Sequence, residues 1–426
     1  MTTWEIVPQG PLRGELRVPG DKSISHRSLI LDALAEGPAR VRGLLHSDDV
    51  HATLGAVRAL GVEVVEDDDG LIVRPPEGGL TEPADVVDCG NSGTSIRLLT
   101  GACAAWPFLT VLTGDASLRR RPMRRIVQPL RAMGATVDGR KDGELPPLVV
   151  RGGGLHMTQH ALKVASAQVK SSLFLAGLRS GVMVKEPRQS RDHTERMLAA
   201  MGAPIRRTEE DWLVLMPPER LHAVDVDVPG DVSAAAFWLV AACVVPGSEI
   251  FLRRVGVNPT RTGVIDALEA MGADIQVYPV EHGGPEPVAD LLARHGPLVG
   301  TRIDGELALR CLDELPVLAV AAACAQGRTV IADAAELRVK ESDRIARVVA
   351  GLRAMGVQVE EYPDGMVIEG GGPKGGGCVD ASHDHRIAMA FAVAGLVAPE
   401  GAVVEGADSV TSSYPQFRHH LEHLLG

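Results

Sequence analysis

The chain has 426 residues, with 43 Lys+Arg against 55 Asp+Glu and a formal net charge of −12. Its content of 45% hydrophobic and 23% charged residues is that of a globular protein of two or three domains, which excludes disorder and a collagen-like chain. No apolar run reaches about 18 residues, so no membrane-spanning helix is expected. The acidic balance argues against nucleic-acid or membrane-surface binding, both of which need a basic face.

Six Cys without a CxxC pair support neither a disulfide scaffold nor a structural zinc site. The first ten residues lack a basic stretch followed by an apolar one, so no signal peptide is read there and a reducing cytoplasm is the simplest home. Aromatics make up only 3%, so the core must be built from Ala, Val, Leu and Ile.

Along the chain, residues 2–20 have strand character and end in VPGD (18–21), a phrase that returns at 228–231. An Ala/Leu-rich helix follows at 28–37 and recurs at 96–105, 171–181, 234–247, 316–327 and 386–401. These segments are apolar nearly all round and should be buried. Between them lie amphipathic helices ending in the phrases VRALG, LRAMG, LAAMG, LEAMG and LRAMG, each followed by an alternating strand. The glycines are Gly61, Gly134, Gly202, Gly272 and Gly356, spaced 68 to 84 residues apart. Gly suits a helix end because it adopts the left-handed conformation without steric cost. The pattern predicts six repeats of strand, buried helix, strand, outer helix and strands. The sixth is expected to lack its own LRAMG helix, and the N-terminal strands are expected to complete the last half. Three repeats each gives domains over 21–229 and over 1–20 joined to 230–426, with a cleft between them as the expected active site.

Candidate site segments fall mostly where helices start. PGDKSISHR (19–27) brings Lys22, Ser23 and Arg27 to the first buried helix, where free N–H groups and the helix dipole favour an anion. It is not a Walker A loop, since Asp21 rather than Gly precedes the Lys; the plain alternative is Ser23 or Ser25 as a helix cap. DCGNSGTSIR (88–97) is a tight turn before a buried helix, capped by Asn91 or Ser92, where Gly93 would let a ligand approach the backbone. Residues 114–127 carry five Arg, including Arg121, around a Pro that starts a helix. SAQVKSSLF (166–174), SRDHTERM (190–197) with Arg191, CLDELPVLAV (311–320) with Asp313, ELRVKESDRI (336–345) and DHRIAMAF (384–391) complete the set. The plain reading of Asp313 is a helix cap. His383 and His385 flank Asp384 without a third ligand nearby, so no metal site is expected. If the repeats point their helix starts at one place, Lys22, Arg27, Arg121, Arg191, Lys340, Arg344 and Arg386 gather there with Asp313 and Glu341. Such a cationic pocket in an acidic chain calls for a substrate carrying phosphate and carboxylate groups.

The segments PGDKSISHR, GNSGTSIR, RPM (121–123), SAQ (166–168), LDELPVLAV, LRVKESDR and DHRIAMA, in this order over residues 5–420, closely resemble the EPSP synthase family of 3-phosphoshikimate 1-carboxyvinyltransferases. The resemblance implies two domains, each an inside-out α/β barrel of three βαβαββ repeats. It implies transfer of the carboxyvinyl group of phosphoenolpyruvate to the 5-hydroxyl of shikimate 3-phosphate, by addition through a tetrahedral ketal phosphate and elimination of phosphate. It implies a monomer, and neither metal nor organic cofactor. By the same resemblance Asp313 is the proton acceptor on the 5-hydroxyl. Glu341 and Lys22 are the proton-transfer partners, in a division the motifs leave open. Lys22, Ser23, Arg27, Ser166, Ala167, Gln168, Arg191, Asp313 and Lys340 correspond to shikimate 3-phosphate ligands. Lys22, Gly93, Arg121, Gln168, Arg344 and Arg386 correspond to phosphoenolpyruvate ligands, with Asn91, Thr94, Arg97 and His385 in support. Two positions depart from the pattern: Glu336 stands where some members have Asn, and Ser412 near where some have Lys.

The sister reaction, on a UDP-sugar, uses a reactive Cys in the loop before the RPM segment and Asn after the Lys. Here the loop 113–122 has no Cys, and Ser23 follows Lys22. A non-catalytic binder of polyanions would gain nothing from Asp313 and Glu341 facing its ligand.

Overall fold

The computed structural model describes residues 2–281 and 283–426. The chain divides into two compact units. The first comprises residues 20–228 with 283–286; the second comprises residues 2–19, 229–281 and 287–426. Each has its own hydrophobic core.

In the first unit, helices α1 (Lys22–Asp32), α3 (Gly93–Ala104) and α5 (Ala167–Gly177) are the inner ones. Every residue of α1 from Ile24 onward is buried. Helices α2 (Asp48–Ala59), α4 (Arg124–Ala132) and α6 (His193–Ala200) bury one face only. Three sheets accompany them. Each has four strands, in which a parallel pair is extended by two antiparallel ones. The middle sheet shows the pattern: Val87–Asp88 runs parallel to Leu109–Thr113, which pairs antiparallel with Leu145–Arg151, and that with Thr136–Gly139.

The second unit repeats the plan. Its inner helices are α7 (Val232–Val244), α9 (Leu315–Cys324) and α11 (His385–Gly395); all thirteen residues of α7 are buried. Its outer helices are α8 (Gly263–Ala270), α10 (Arg344–Ala354) and α12 (Phe417–Leu425). Two sheets have four strands and the last has three.

The five repeat glycines have φ between 78° and 106°. At each, the N–H of the following residue bonds back to the carbonyl five positions earlier, as Ala135 does to Leu130 at 3.1 Å and Ala273 to Leu268 at 3.0 Å. This closure satisfies carbonyls the helix leaves open and requires a left-handed residue, which is why the phrase ends in Gly. The sixth repeat has an outer helix without the phrase. Phe417, Leu421 and Leu424 of α12 are buried at helical spacing. Leu424 lies against Gly14, in the strand Arg13–Leu16.

The repeat pattern put residues 1–20 with the second half and 226–227 with the first, but did not say which strands they would meet. The strand Arg13–Leu16 precedes α1 but pairs in the second unit with Glu249–Gly256. Conversely, Val226–Asp227 precedes α7 but pairs in the first unit with Ala39–Arg42. The N-terminal strand Thr3–Ile6 pairs with Ala402–Glu405 and completes the three-stranded sheet. The two VPGD phrases follow the exchanged strands, and their aspartates start inner helices: Asp21 accepts from the Ile24 amide at 2.9 Å and Asp231 from that of Ser233 at 2.8 Å. Asp21, rather than Ser23 or Ser25, is therefore the cap of α1, which leaves both serines for other partners.

Among the described residues no helix is long and apolar enough to cross a membrane.

Candidate active site

In the first unit the predicted residues sit at the starts of the inner helices or just before the outer ones. Lys22, the first residue of α1, is ion-paired with Asp49 of α2. Arg27, one turn on, is 3% exposed and fixed on three sides. Its guanidinium donates to Thr194 Oγ1 at 2.8 Å, to the Ser23 carbonyl at 2.9 Å and to Ser171 Oγ at 3.0 Å. Burial lowers its pKa to about 10 against the opposing pull of Glu195 and Asp21, so it remains a cation at neutral pH. Neighbouring His26 is driven to about 3 by burial and stays neutral, its Nδ1 2.7 Å from Thr53 Oγ1.

Around α3 the residues form one connected group. Ser92, rather than Asn91, caps the helix through the Ser95 amide. That frees the Asn91 carbonyl oxygen to accept from Arg121 at 2.6 Å, while its amide donates to Asp115 at 2.6 Å. Arg97 donates to Gln168 Oε1 at 2.6 Å, and the Gln168 amide donates to Thr94 Oγ1 at 3.0 Å. Gly93 is central: a methyl built on its Cα would lie 3.0 Å from Arg97 Nη1 and 3.2 Å from Arg121 Nη1. The Pro of the arginine-rich segment does not start the helix; Leu118–Arg120 form a short 3-10 turn, and α4 begins at Arg124. Ser166 caps α5, whose first residues are Ala167 and Gln168. Arg191 precedes α6 and acts on Arg27 through its charge.

Behind this surface lies a buried pair set that sequence reasoning missed. Lys170 is fully buried and bonds Glu186 at 2.7 Å and Glu195 at 2.6 Å. Burial works against its charge, but the two carboxylates outweigh it and raise its pKa. Glu186 also accepts from the Ser190 hydroxyl, which ties down the turn carrying Arg191. Glu286 lies 2.7 Å from His193 Nδ1, and both are buried.

In the second unit the predicted acids and cations interlock. Asp313 Oδ1 lies 3.3 Å from Lys340 Nζ and 3.2 Å from Arg344 Nη1. Arg344, 1% exposed, also bonds Glu341 at 2.6 Å and Asp384 at 2.8 Å. Burial opposes its charge, yet Asp384, Glu341 and Asp313 together push its pKa up. The same pairing outweighs the burial of Asp384 and holds its carboxyl below the usual range. Asp313 is not the cap of α9; Glu314 takes that place, so the Asp313 carboxylate is left to Lys340 and Arg344. His385 Nδ1 is 3.3 Å from Ser412 Oγ. Glu336 lies in the 3-10 segment Ala335–Val339. Arg386 is 3.9 Å from Glu314, and its guanidinium makes no hydrogen bond among the described residues.

The structure thus brings together Gly93, Thr94, Arg97, Asn91, Arg121 and Gln168 in one unit, and Asp313, Lys340, Glu341 and Arg344 in the other. Asp384 joins the second group through Arg344, while Asp49 pairs with Lys22 and Glu314 lies near Arg386. Glu314 and Asp384 lay in the quoted segments, but nothing in the local sequence said which cation each would meet.

A family model described as EPSP synthase (3-phosphoshikimate 1-carboxyvinyltransferase) matches residues 6–421. The chain belongs to the EPSP synthase family. It is 53% identical over 419 residues to the 3-phosphoshikimate 1-carboxyvinyltransferase of Herpetosiphon aurantiacus, covering 97% of each chain. It is 52% identical over 416 residues to that of Geobacter sulfurreducens, covering 96% of each. Among solved structures, the EPSP synthase of Acinetobacter baumannii superposes with a TM-score of 0.90 at 42% identity, over 99% of this chain and 98% of that one. The mixed α/β architecture described above is accordingly the two-domain inside-out α/β fold of this family.

Proposed function

We propose that this protein is a 3-phosphoshikimate 1-carboxyvinyltransferase. It transfers the carboxyvinyl group of phosphoenolpyruvate to the 5-hydroxyl of shikimate 3-phosphate and releases phosphate, a step in aromatic amino acid biosynthesis. Asp313 takes the proton of the 5-hydroxyl as its oxygen attacks C2 of phosphoenolpyruvate, while a proton is delivered to the CH2 carbon. In the second half a proton leaves the resulting methyl group and phosphate departs. Glu341 and Lys22 carry these proton transfers. Arg121, Lys22 and the amides near Gly93 neutralise the phosphate, and Arg344 and Arg386 the carboxylate of phosphoenolpyruvate; Gln168 bonds to it. Ser23, Arg27, Ser166, Ala167, Gln168, Arg191 and Lys340 hold shikimate 3-phosphate. In the same reading the enzyme works in the cytoplasm as a monomer, without metal or organic cofactor.

The observation that carries this reading is the Asp313–Lys340–Arg344–Glu341 group. Two cations lie against the Asp313 carboxylate, and one arginine bonds both acids that the chemistry assigns to different protons. The test is phosphate release with both substrates and with each omitted. The reading requires release that depends on both; release that does not need shikimate 3-phosphate refutes it.

A further inference from the structure

The two units differ at the caps of their inner helices. In the first, α1 is capped by Asp21, but α3 and α5 are capped by the neutral Ser92 and Ser166. In the second, all three caps are acidic: Asp231, Glu314 and Asp384. Asp231 and Asp384 serve their own helices, accepting the amides of Ser233 at 2.8 Å and Arg386 at 3.0 Å. Glu314 does not cap α9 with its side chain. Instead it accepts from the Ser233 hydroxyl, in the first turn of α7. It also lies 3.9 Å from Arg386 Nη1, in the first turn of α11, and 3.9 Å from Arg261 Nη2. Arg261 in turn bonds Ser233 Oγ at 2.6 Å. One carboxylate is therefore shared by the starts of three helices and two arginines. It is 1% exposed, and its Oε2 has no hydrogen-bond partner among the described residues. An unsatisfied buried carboxylate oxygen is a poor means of stabilising a fold. Converging helix starts flanked by guanidinium groups are, on the other hand, the chemistry that binds phosphate.

We propose that Glu314 is a specificity-determining residue: it acts as a built-in anion that occupies the meeting point of α7, α9 and α11, so that phosphate-bearing groups are not drawn there. The serine caps of α3 and α5 carry no such charge, and the first unit stays receptive. Arg386, tethered by charge at 3.9 Å and by no hydrogen bond, keeps its donors for a substrate carboxylate. The inference rests on the proposed function only in taking Arg386 as an anion ligand.

The experiment is calorimetric titration of the full-length protein with inorganic phosphate, which needs no turnover. Glu314→Gln, which keeps the shape and removes the charge, should bind phosphate about tenfold or more tightly than the parent protein. Glu314→Asp, which keeps the charge, should stay within about twofold of it. A folded Glu314→Gln protein with unchanged or weaker phosphate binding overturns the proposal. Should that variant not fold, Ser92→Asp decides the matter. Asp is as good a cap as Ser, and it gives α3 the acidic start found in the second unit. Phosphate binding should weaken about tenfold, and unchanged binding refutes the idea. A protein without carboxyvinyl transfer whose Glu314→Gln form still tightens phosphate would reject the proposed function and leave this inference standing.

Discussion

Gly93→Ala probes the site with the smallest possible perturbation. The added methyl would sit 3.0 Å from Arg97 Nη1 and 3.2 Å from Arg121 Nη1, where ordinary contact begins near 3.4 Å. Each guanidinium must retreat by a few tenths of an ångström, which disturbs the bonds that orient it: Arg97 to Gln168 at 2.6 Å and to the Pro122 carbonyl at 3.3 Å, and Arg121 to Asn91 at 2.6 Å. A charge-assisted hydrogen bond contributes about 1.5–3 kcal/mol. Losing the lower end of that range through misalignment raises the KM for phosphoenolpyruvate about tenfold. The backbone itself is not strained, because Gly93 is the first residue of α3 and has no left-handed φ. The variant should therefore fold with a near-parental Tm, and kcat should change little. The assay is steady-state phosphate release with phosphoenolpyruvate varied at saturating shikimate 3-phosphate. An unchanged KM, or a fall in kcat alone, would show that Gly93 and the two arginines do not border the phosphoenolpyruvate site.

Asp313→Ala should lower kcat about 100-fold or more, since a positioned general base contributes 10²–10⁴. The KM values should not rise with it, because Lys340 and Arg344 lose a competing carboxylate; an unchanged kcat removes Asp313 from the chemistry. Asp32, at the end of α1, is buried, and burial first and Asp225 second push its carboxyl well above the usual range. The folded state holds that proton more tightly than the unfolded chain, so its stability contribution is complete at acid pH and is lost as pH rises. Asp32→Asn should therefore melt above the parent at pH 8, by about 2–4 °C for each kcal/mol relieved, with the advantage shrinking toward pH 5. Parallel melting-versus-pH curves for the two proteins would refute this.

The repeats were legible because their signals are local. A left-handed helix end leaves a Gly at a fixed offset, and an inner helix must be apolar on every side, so both can be counted along the chain. The starts of the inner helices could be read to within a few residues for the same reason, except that α1, expected from 28, begins at Lys22. Partnership was not legible. Asp384 precedes His385 in sequence but bonds Arg344 forty residues away, and Asp49 meets Lys22 only because α2 packs beside α1. Which strands Arg13–Leu16 and Val226–Asp227 pair with is similarly hidden, since a short strand is compatible with any open sheet edge. The last outer helix was obscured because α12 lacks the Gly phrase by which the other five were counted.

The way each cation is held bears on what it can do. Arg121 is oriented by an amide oxygen, and Arg27 by two hydroxyls and a carbonyl. Neutral acceptors fix direction without cancelling charge, so a phosphate meeting these arginines displaces no counter-ion. Arg344 is instead surrounded by Asp313, Glu341 and Asp384. An anion approaching it must compete with carboxylates already in place, and its net gain is the difference between two large terms. Such a guanidinium is a weak phosphate trap. It is well suited, however, to holding two acids, Asp313 and Glu341, in fixed positions. The amide- and hydroxyl-held arginines suit phosphate binding, and the carboxylate-held one suits positioning the acids around it. The roles thus divide between the units according to the chemistry of the tethers.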